Sequence, residues 1–189
     1  MILCLLFSSS IGLIPYRAIA QSNTRLLAYT DTNNGFTLQY PSNWTKNSTN
    51  SQNSPFVLNS PDNGGTMFVT VVHPSPENLA IAESMTLDEL VRSLALPASA
   101  LPLPPNELAA LGINILELNS EDYFLSGHPA GRMVMTGASS DGISKMMGLA
   151  TIVNDRLYAV SYMADSSTYD KYLADAQTII DSFKIISSQ

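Results

Sequence analysis

One cysteine occurs in 189 residues, and it is Cys4. Beyond the first few residues the chain therefore has no thiol for a disulfide, a thiolate nucleophile or a cysteine metal site. Charge is also scarce: 13% of residues are charged, with nine Lys+Arg against sixteen Asp+Glu and a net charge of −7. Such a chain cannot neutralise a phosphate backbone by bulk electrostatics, which argues against nucleic acid as a partner. Two histidines occur, His73 and His128, each followed by proline. Neither is served by a Gly-x-Ser-x-Gly elbow, and no glycine-rich strand-to-helix junction offers phosphates a cradle. The reading is a protein that is not an enzyme, with no catalytic, cofactor-binding or metal-ligating residue assigned. A hydrolase using His128 with a nearby serine is the catalytic alternative.

What is present is apolar and neutral-polar, with 45% hydrophobic residues, enough for one domain with a real core. Residues 1–14 carry an apolar run, and Ala18-Ile19-Ala20 precedes Gln21 as an Ala-x-Ala cleavage site. The run is shorter than the ~20 residues of a spanning helix, and Arg17 interrupts its continuation. Residues 1–20 are read as a signal peptide and 21–189 as a single domain, secreted or extracytoplasmic, with an uncleaved anchor as the alternative. Cys4 precedes the segment a lipoprotein signal would need and leaves with the signal. Asn43-Trp44-Thr45 and Asn47-Ser48-Thr49 are glycosylation sequons that chance in a polar loop explains equally well.

Two β-type runs, Leu26–Asp31 and Phe36–Tyr40, flank an Asn-Gly turn and predict a hairpin. Phe56–Asn59 and Thr66–His73 predict a second, after a polar loop that runs to Ser54. Thr86 and Glu89 form a capping box ahead of a helical stripe of Leu87, Leu90, Val91 and Leu94, which Pro97 stops. Residues Pro97 to Pro105 are too apolar for a free linker and are expected to lie against the body. A helical turn or two follows at Asn106–Leu111. Strands return at Ile113–Leu118 and Tyr123–Ser126, and then in a meander of Ala130–Gly137, Ile143–Val153 and Arg156–Met163. Both alternating sets of the middle strand are apolar, as in a strand covered on both faces. Tyr169, Tyr172, Leu173, Ala176, Ile179, Ile180 and Phe183 trace one face of a final helix, with Ser167 and Asp170 at its start and Lys184 at its end. The prediction is an α+β fold, an α/β/α sandwich whose central antiparallel sheet carries helices on both faces.

Three features invite sharper readings. Asp31-Thr32-Asn33-Asn34-Gly35 has the look of a calcium loop, but its glycine is one position early and no distal Glu completes it, so a hairpin turn suffices. Met133, Met135, Met146 and Met147 would gather across the Ser139–Gly142 turn, where thioethers can hold Cu(I), although core packing is the commoner use. Asp88-Glu89 and Glu121-Asp122 are adjacent carboxylates, which point to different sides and read as solvated faces. Trp44, the only tryptophan, is read as a plug at the edge of the core.

Four ordered stretches, Gly35 to Trp44, Leu125 to Ala130, Asn154 to Tyr162 and Ile179 to Ile185, resemble the PsbP-like family across nearly the whole chain. The resemblance implies an α/β/α sandwich. It also implies kinship with extrinsic photosystem II subunits, which support calcium and chloride retention without catalysis, and with stand-alone exported prokaryotic and archaeal relatives. It points to a monomeric binding or assembly module of an extracytoplasmic membrane-associated protein complex, possessing no transmembrane span once the signal is removed. Contact would run through one sheet edge or a rim of the sandwich. The alternative is a carrier of a small ligand or of calcium or copper, with its pocket between the sheet and residues 97–105.

Overall fold

The computed structural model describes residues 24–48 and 55–186. The expected signal peptide, Cys4, and most of the polar loop before Phe56 lie outside the described residues.

The chain opens with β1 (Leu26–Asp31) and β2 (Phe36–Pro41), paired antiparallel as the Asn-Gly signal predicts. Gly35 takes φ +72° at the turn, and the Asp31 carboxylate accepts hydrogen bonds from the Asn34 backbone N–H and side-chain amide, both at 2.9 Å. That carboxylate is committed to closing a turn. β3 (Thr45–Asn47), β4 (Phe56–Asn59) and β5 (Gly65–Val72) come next, then α1 (Pro76–Ser84), α2 (Leu87–Ala95) and α3 (Pro105–Ala110). β6 (Ile113–Asn119), the short pair β7 (Phe124–Leu125) and β8 (His128–Pro129), the meander β9 (Gly131–Ser139), β10 (Gly142–Val153) and β11 (Arg156–Asp165), α4 (Tyr169–Ser182) and β12 (Lys184–Ile185) complete the described chain.

Seven strands form the central antiparallel sheet in the order β3-β4-β5-β11-β10-β9-β6. Alternation along β10 divides its side chains between the two faces. Met147, Leu149 and Val153 join the core that α4 closes with Tyr169, Tyr172, Ala176, Ile179 and Ile180. Met146 and Ala150 turn the other way, against Val91 of α2. Helices thus cover both faces, as expected. Residues 97–105 do lie on the body: Leu96, Ala100 and Leu108 are buried, with Leu101 and Leu103 packed on them.

Several expectations need correction. The first hairpin does not join the central sheet; β2 pairs with β12 and makes a separate three-stranded sheet that brings the two ends of the domain together. Phe36 stacks on Phe183 at 5.5 Å between ring centroids, so an aromatic contact holds this junction. α1 was not expected, because its apolar residues do not line one face and only Ala82 is buried; its signal was Ser75 capping a helix that begins with Pro76. β3 was hidden in the polar loop. Ser167 does not cap α4: its backbone N–H and hydroxyl donate to Asp165, Thr168 holds the cap position but donates its hydroxyl to the Gly64 carbonyl instead of capping the helix, and Lys184 belongs to β12 rather than to the last helical turn.

Candidate interaction edge and its grooves

Any open sheet ends in two strands with one unpaired side each, and proteins usually blunt them with short length, lysine, proline or a bulge. Here the two edges differ. β3 is three residues long and carries Lys46. β6 is seven residues long, Ile-Asn-Ile-Leu-Glu-Leu-Asn, with no lysine and no proline. Its single charge, Glu117, is already engaged by an ion pair with Arg132 of β9. Tyr123 donates its hydroxyl to the same carboxylate at 3.1 Å, and the Arg132 guanidinium lies 5.0 Å from the Tyr123 ring centroid. Hydrogen bonding from Arg132, aided by Tyr123, holds the Glu117 carboxyl below its usual range against the opposing effect of burial.

One blunting device remains on β6. Its register with β9 shifts between Ile115 and Glu117, so Leu116 is the extra residue of a bulge. The bulge turns Leu116 outward, where 58% of it is exposed, and Leu111 at the foot of the strand is exposed to 59%. Isolated exposed leucines are ordinary. On an unpaired strand they give an incoming chain an apolar foothold.

A groove runs beside this edge on each face. On the α2 and α3 side, a groove of about 370 Å³ is walled by Pro105, Leu108 and the run Asn114 to Leu118, with Arg92 contributing the only cation among these residues. On the α4 side, a groove of about 530 Å³ holds Arg132 and Lys145 above Val134, Met147 and Leu173. The Lys145 ammonium lies 4.4 Å from the Tyr169 ring centroid. Burial raises the Tyr169 phenol above its usual value although Arg132 opposes the shift, so it stays protonated at neutral pH.

The residues singled out in the sequence do not assemble into a catalytic or metal site. His73 and His128 are both exposed, one at the end of β5 and the other in β8. Around His128, Thr151 donates its hydroxyl to the Pro129 carbonyl at 2.7 Å, and Ser126 accepts the Ile185 N–H at 2.8 Å; among the described residues neither hydroxyl is hydrogen-bonded to the imidazole. The four methionines part: Met133, Met135 and Met146 pack beneath α2, whereas Met147 is on the opposite face and accepts a contact from Arg132 at 3.5 Å. Between the sheet and residues 97–105, Leu96, Ala100 and Leu108 are packed together, the cavity under α2 measures about 90 Å³, and the larger space on this side is the groove that Pro105 and Leu108 share with β6. Trp44 does plug the core edge, with its indole N–H donated to Asp175 at 3.1 Å.

The carboxylate pairs split in role. Glu121 and Asp122 are exposed as expected, and Glu89 closes the capping box of α2. Asp88 departs from the solvated reading, since its Oδ1 is enclosed without a hydrogen-bond partner. Sequence reasoning also passed over Arg92 and Leu116. Arg92 showed only as a helix residue, and no sequence signal marks which strand of a meander ends a sheet.

Among the described residues, fold and site together define an α/β/α sandwich with one long open sheet edge flanked by grooves. A family model for PsbP matches residues 24–185, and the chain belongs to the PsbP family. Among solved structures, cyanobacterial PsbP (CyanoP) of Synechocystis sp. PCC 6803 aligns with a TM-score of 0.59 at 14% identity, over 94% of this chain and 98% of that one. LpqN of Mycobacterium tuberculosis, a protein involved in cell envelope biogenesis, aligns with a TM-score of 0.51 at 10% identity, over 89% and 88% of the two chains. A Bacteroides thetaiotaomicron VPI-5482 structure aligns at 0.53 and 10% identity, covering 85% of this chain and 48% of that one. Likeness at these identities is likeness of fold. A search of curated protein sequences finds no significant match. No helix among the described residues is long and apolar enough to cross a membrane.

Proposed function

We propose that this chain is an extracytoplasmic, non-enzymatic binding module that docks on a membrane-associated protein complex through the β6 edge. The observation that carries this reading is the asymmetry of the two edges: β3 is short and bears lysine, whereas β6 is long, apolar and neutralised internally. An added strand would gain main-chain hydrogen bonds from β6 and apolar contacts from Leu116. The family relationship and the export-type N-terminal sequence support the compartment. The separated, exposed histidines support a binding role over a catalytic one.

Leu116 supplies the test. It is the bulge residue, and proline is tolerated at bulges and edges, so Leu116→Pro removes a main-chain donor from the edge where the ladder with β9 is already interrupted. The variant is expected to fold, to melt near the parent temperature, and to lose co-purification with its membrane-complex partner from the source cell. Lys46→Pro, on the opposite edge, is expected to keep it. Equal co-purification by both variants would rule out β6 as the contact.

A further inference from the structure

The cavity of about 90 Å³ under α2 lies on β5, β11 and β10, the nearest of which is two strands in from β6. Val91, Leu94 and Ala95 roof it at the i, i+3, i+4 spacing of one helix face. Two residues of its floor are not explained by the protein's own packing. Gly148 stands in the interior of β10, where glycine weakens a strand and marks a place that a ligand or another backbone approaches closely. Here no backbone crowds it and its φ is not positive: a Cβ built there would meet the Ser161 Oγ, a movable hydroxyl, at 2.9 Å, with its next contacts at 3.7 and 3.9 Å. Ser161, the partner of Gly148 in the ladder with β11, is only 7% exposed, and among the described residues its hydroxyl makes no hydrogen bond. An enclosed hydroxyl left unpaired is costly.

We infer that this cavity is a binding site for a small uncharged alcohol or phenol, with its apolar body over Gly148 and its hydroxyl hydrogen-bonded to Ser161. The lining selects that chemistry. None of the residues around the cavity is ionisable, so an ionised group would be buried without a counter-charge. Water fits poorly as the occupant: the space equals about three waters, each needing about two to four polar partners, and the side chains offer only the hydroxyls of Ser161 and Thr70. A single ligand hydroxyl needs no more than that. Phe68 and Met146 give the remainder of the ligand an aromatic and a thioether wall, which suits a ring. Size sets the limit, since benzene fills an apolar cavity of about 150 Å³ and this one takes no more than one small ring.

The probes are phenol and cyclohexanol, with toluene as the analogue lacking a hydroxyl and benzoate as the charged one, each titrated into the isotope-labelled folded chain and followed by its amide resonances. Saturable shifts at Gly148, Ser161 and Val91 to Ala95 are expected with both alcohols. Toluene should bind about fivefold more weakly, the loss of one hydrogen bond, and benzoate should not bind. Ser161→Ala should bring phenol down to the level of toluene and leave toluene unchanged. Gly148→Ala should weaken both by about fivefold or more, because its methyl overlaps the ligand, while melting no lower than the parent. No saturable response to either alcohol overturns the inference. So does benzoate binding as well as phenol, a preference for phenol over toluene that survives Ser161→Ala, or a Gly148→Ala chain that melts well below the parent, which would assign the glycine to packing. None of these outcomes bears on the β6 edge, because Leu116 and Lys46 take no part in the cavity.

Discussion

Gly131 shows how much one residue decides here. It opens β9 directly beneath α2, and a Cβ built on it would stand 2.1 Å from the Leu87 carbonyl oxygen and 2.7 Å from its carbonyl carbon. Both obstacles are backbone, so no rotamer change relieves them and α2 would have to move. Gly131→Ala is expected to destabilise the domain by about 1–3 kcal/mol, the usual range for overpacking, measured as a fall in the denaturant midpoint. A variant as stable as the parent would mean that α2 is not seated on β9 as described. In the sequence this glycine follows Pro129-Ala130 and looks like an ordinary strand entrance. Glu89 and Trp44 were legible because a local pattern, a capping box or a lone large aromatic, announced them. Asp88 and Arg92 were not, because the enclosure of their polar atoms is a tertiary fact that the helical stripe does not carry.

Elements whose two faces differ were readable, and those defined by a distant partner were not. β10 and α4 announced themselves by alternation and by period. α1 lacks a stripe, and the pairing of β2 with β12 joins residues about 150 positions apart in a way no local signal encodes. β6 was placed correctly as a strand, while its edge position emerged only with the sheet order. Its attachment to β9 depends on the Glu117–Arg132 pair, and the sign of that dependence is fixed. Because the folded-state pKa of Glu117 is depressed, the pair contributes fully above the unfolded carboxylate range and its contribution is lost as pH falls through the folded value. Glu117→Gln should therefore cost about 1 kcal/mol or less at pH 7, the scale of a partly exposed ion pair, with the difference closing as pH falls below the ordinary glutamate range. Thermal melts of both proteins from neutral to acid pH check this. A gap that widens on acidification would contradict the assignment.

At the scale of the molecule, the scarcity of charge acquires a location. Few charges leave few gatekeepers, and the sheet spends a lysine on the short edge and leaves the long one apolar. Aggregation would be the expected fate of such an edge if it had no occupant. The family's sandwich supplies the frame, with α4 and α2 burying the two sheet faces and leaving the rim at β6 as the surface on which a partner can read the fold.

The central claim is that β6 is the docking edge. Its most direct test is site-specific photo-crosslinking in the source cell, with the reactive side chain placed at Leu116 in one protein and at Lys46 in another. The account predicts a discrete adduct with an extracytoplasmic component of a membrane complex from position 116 and none from position 46. An adduct from position 46 with none from 116, or equal labelling from both, would contradict it.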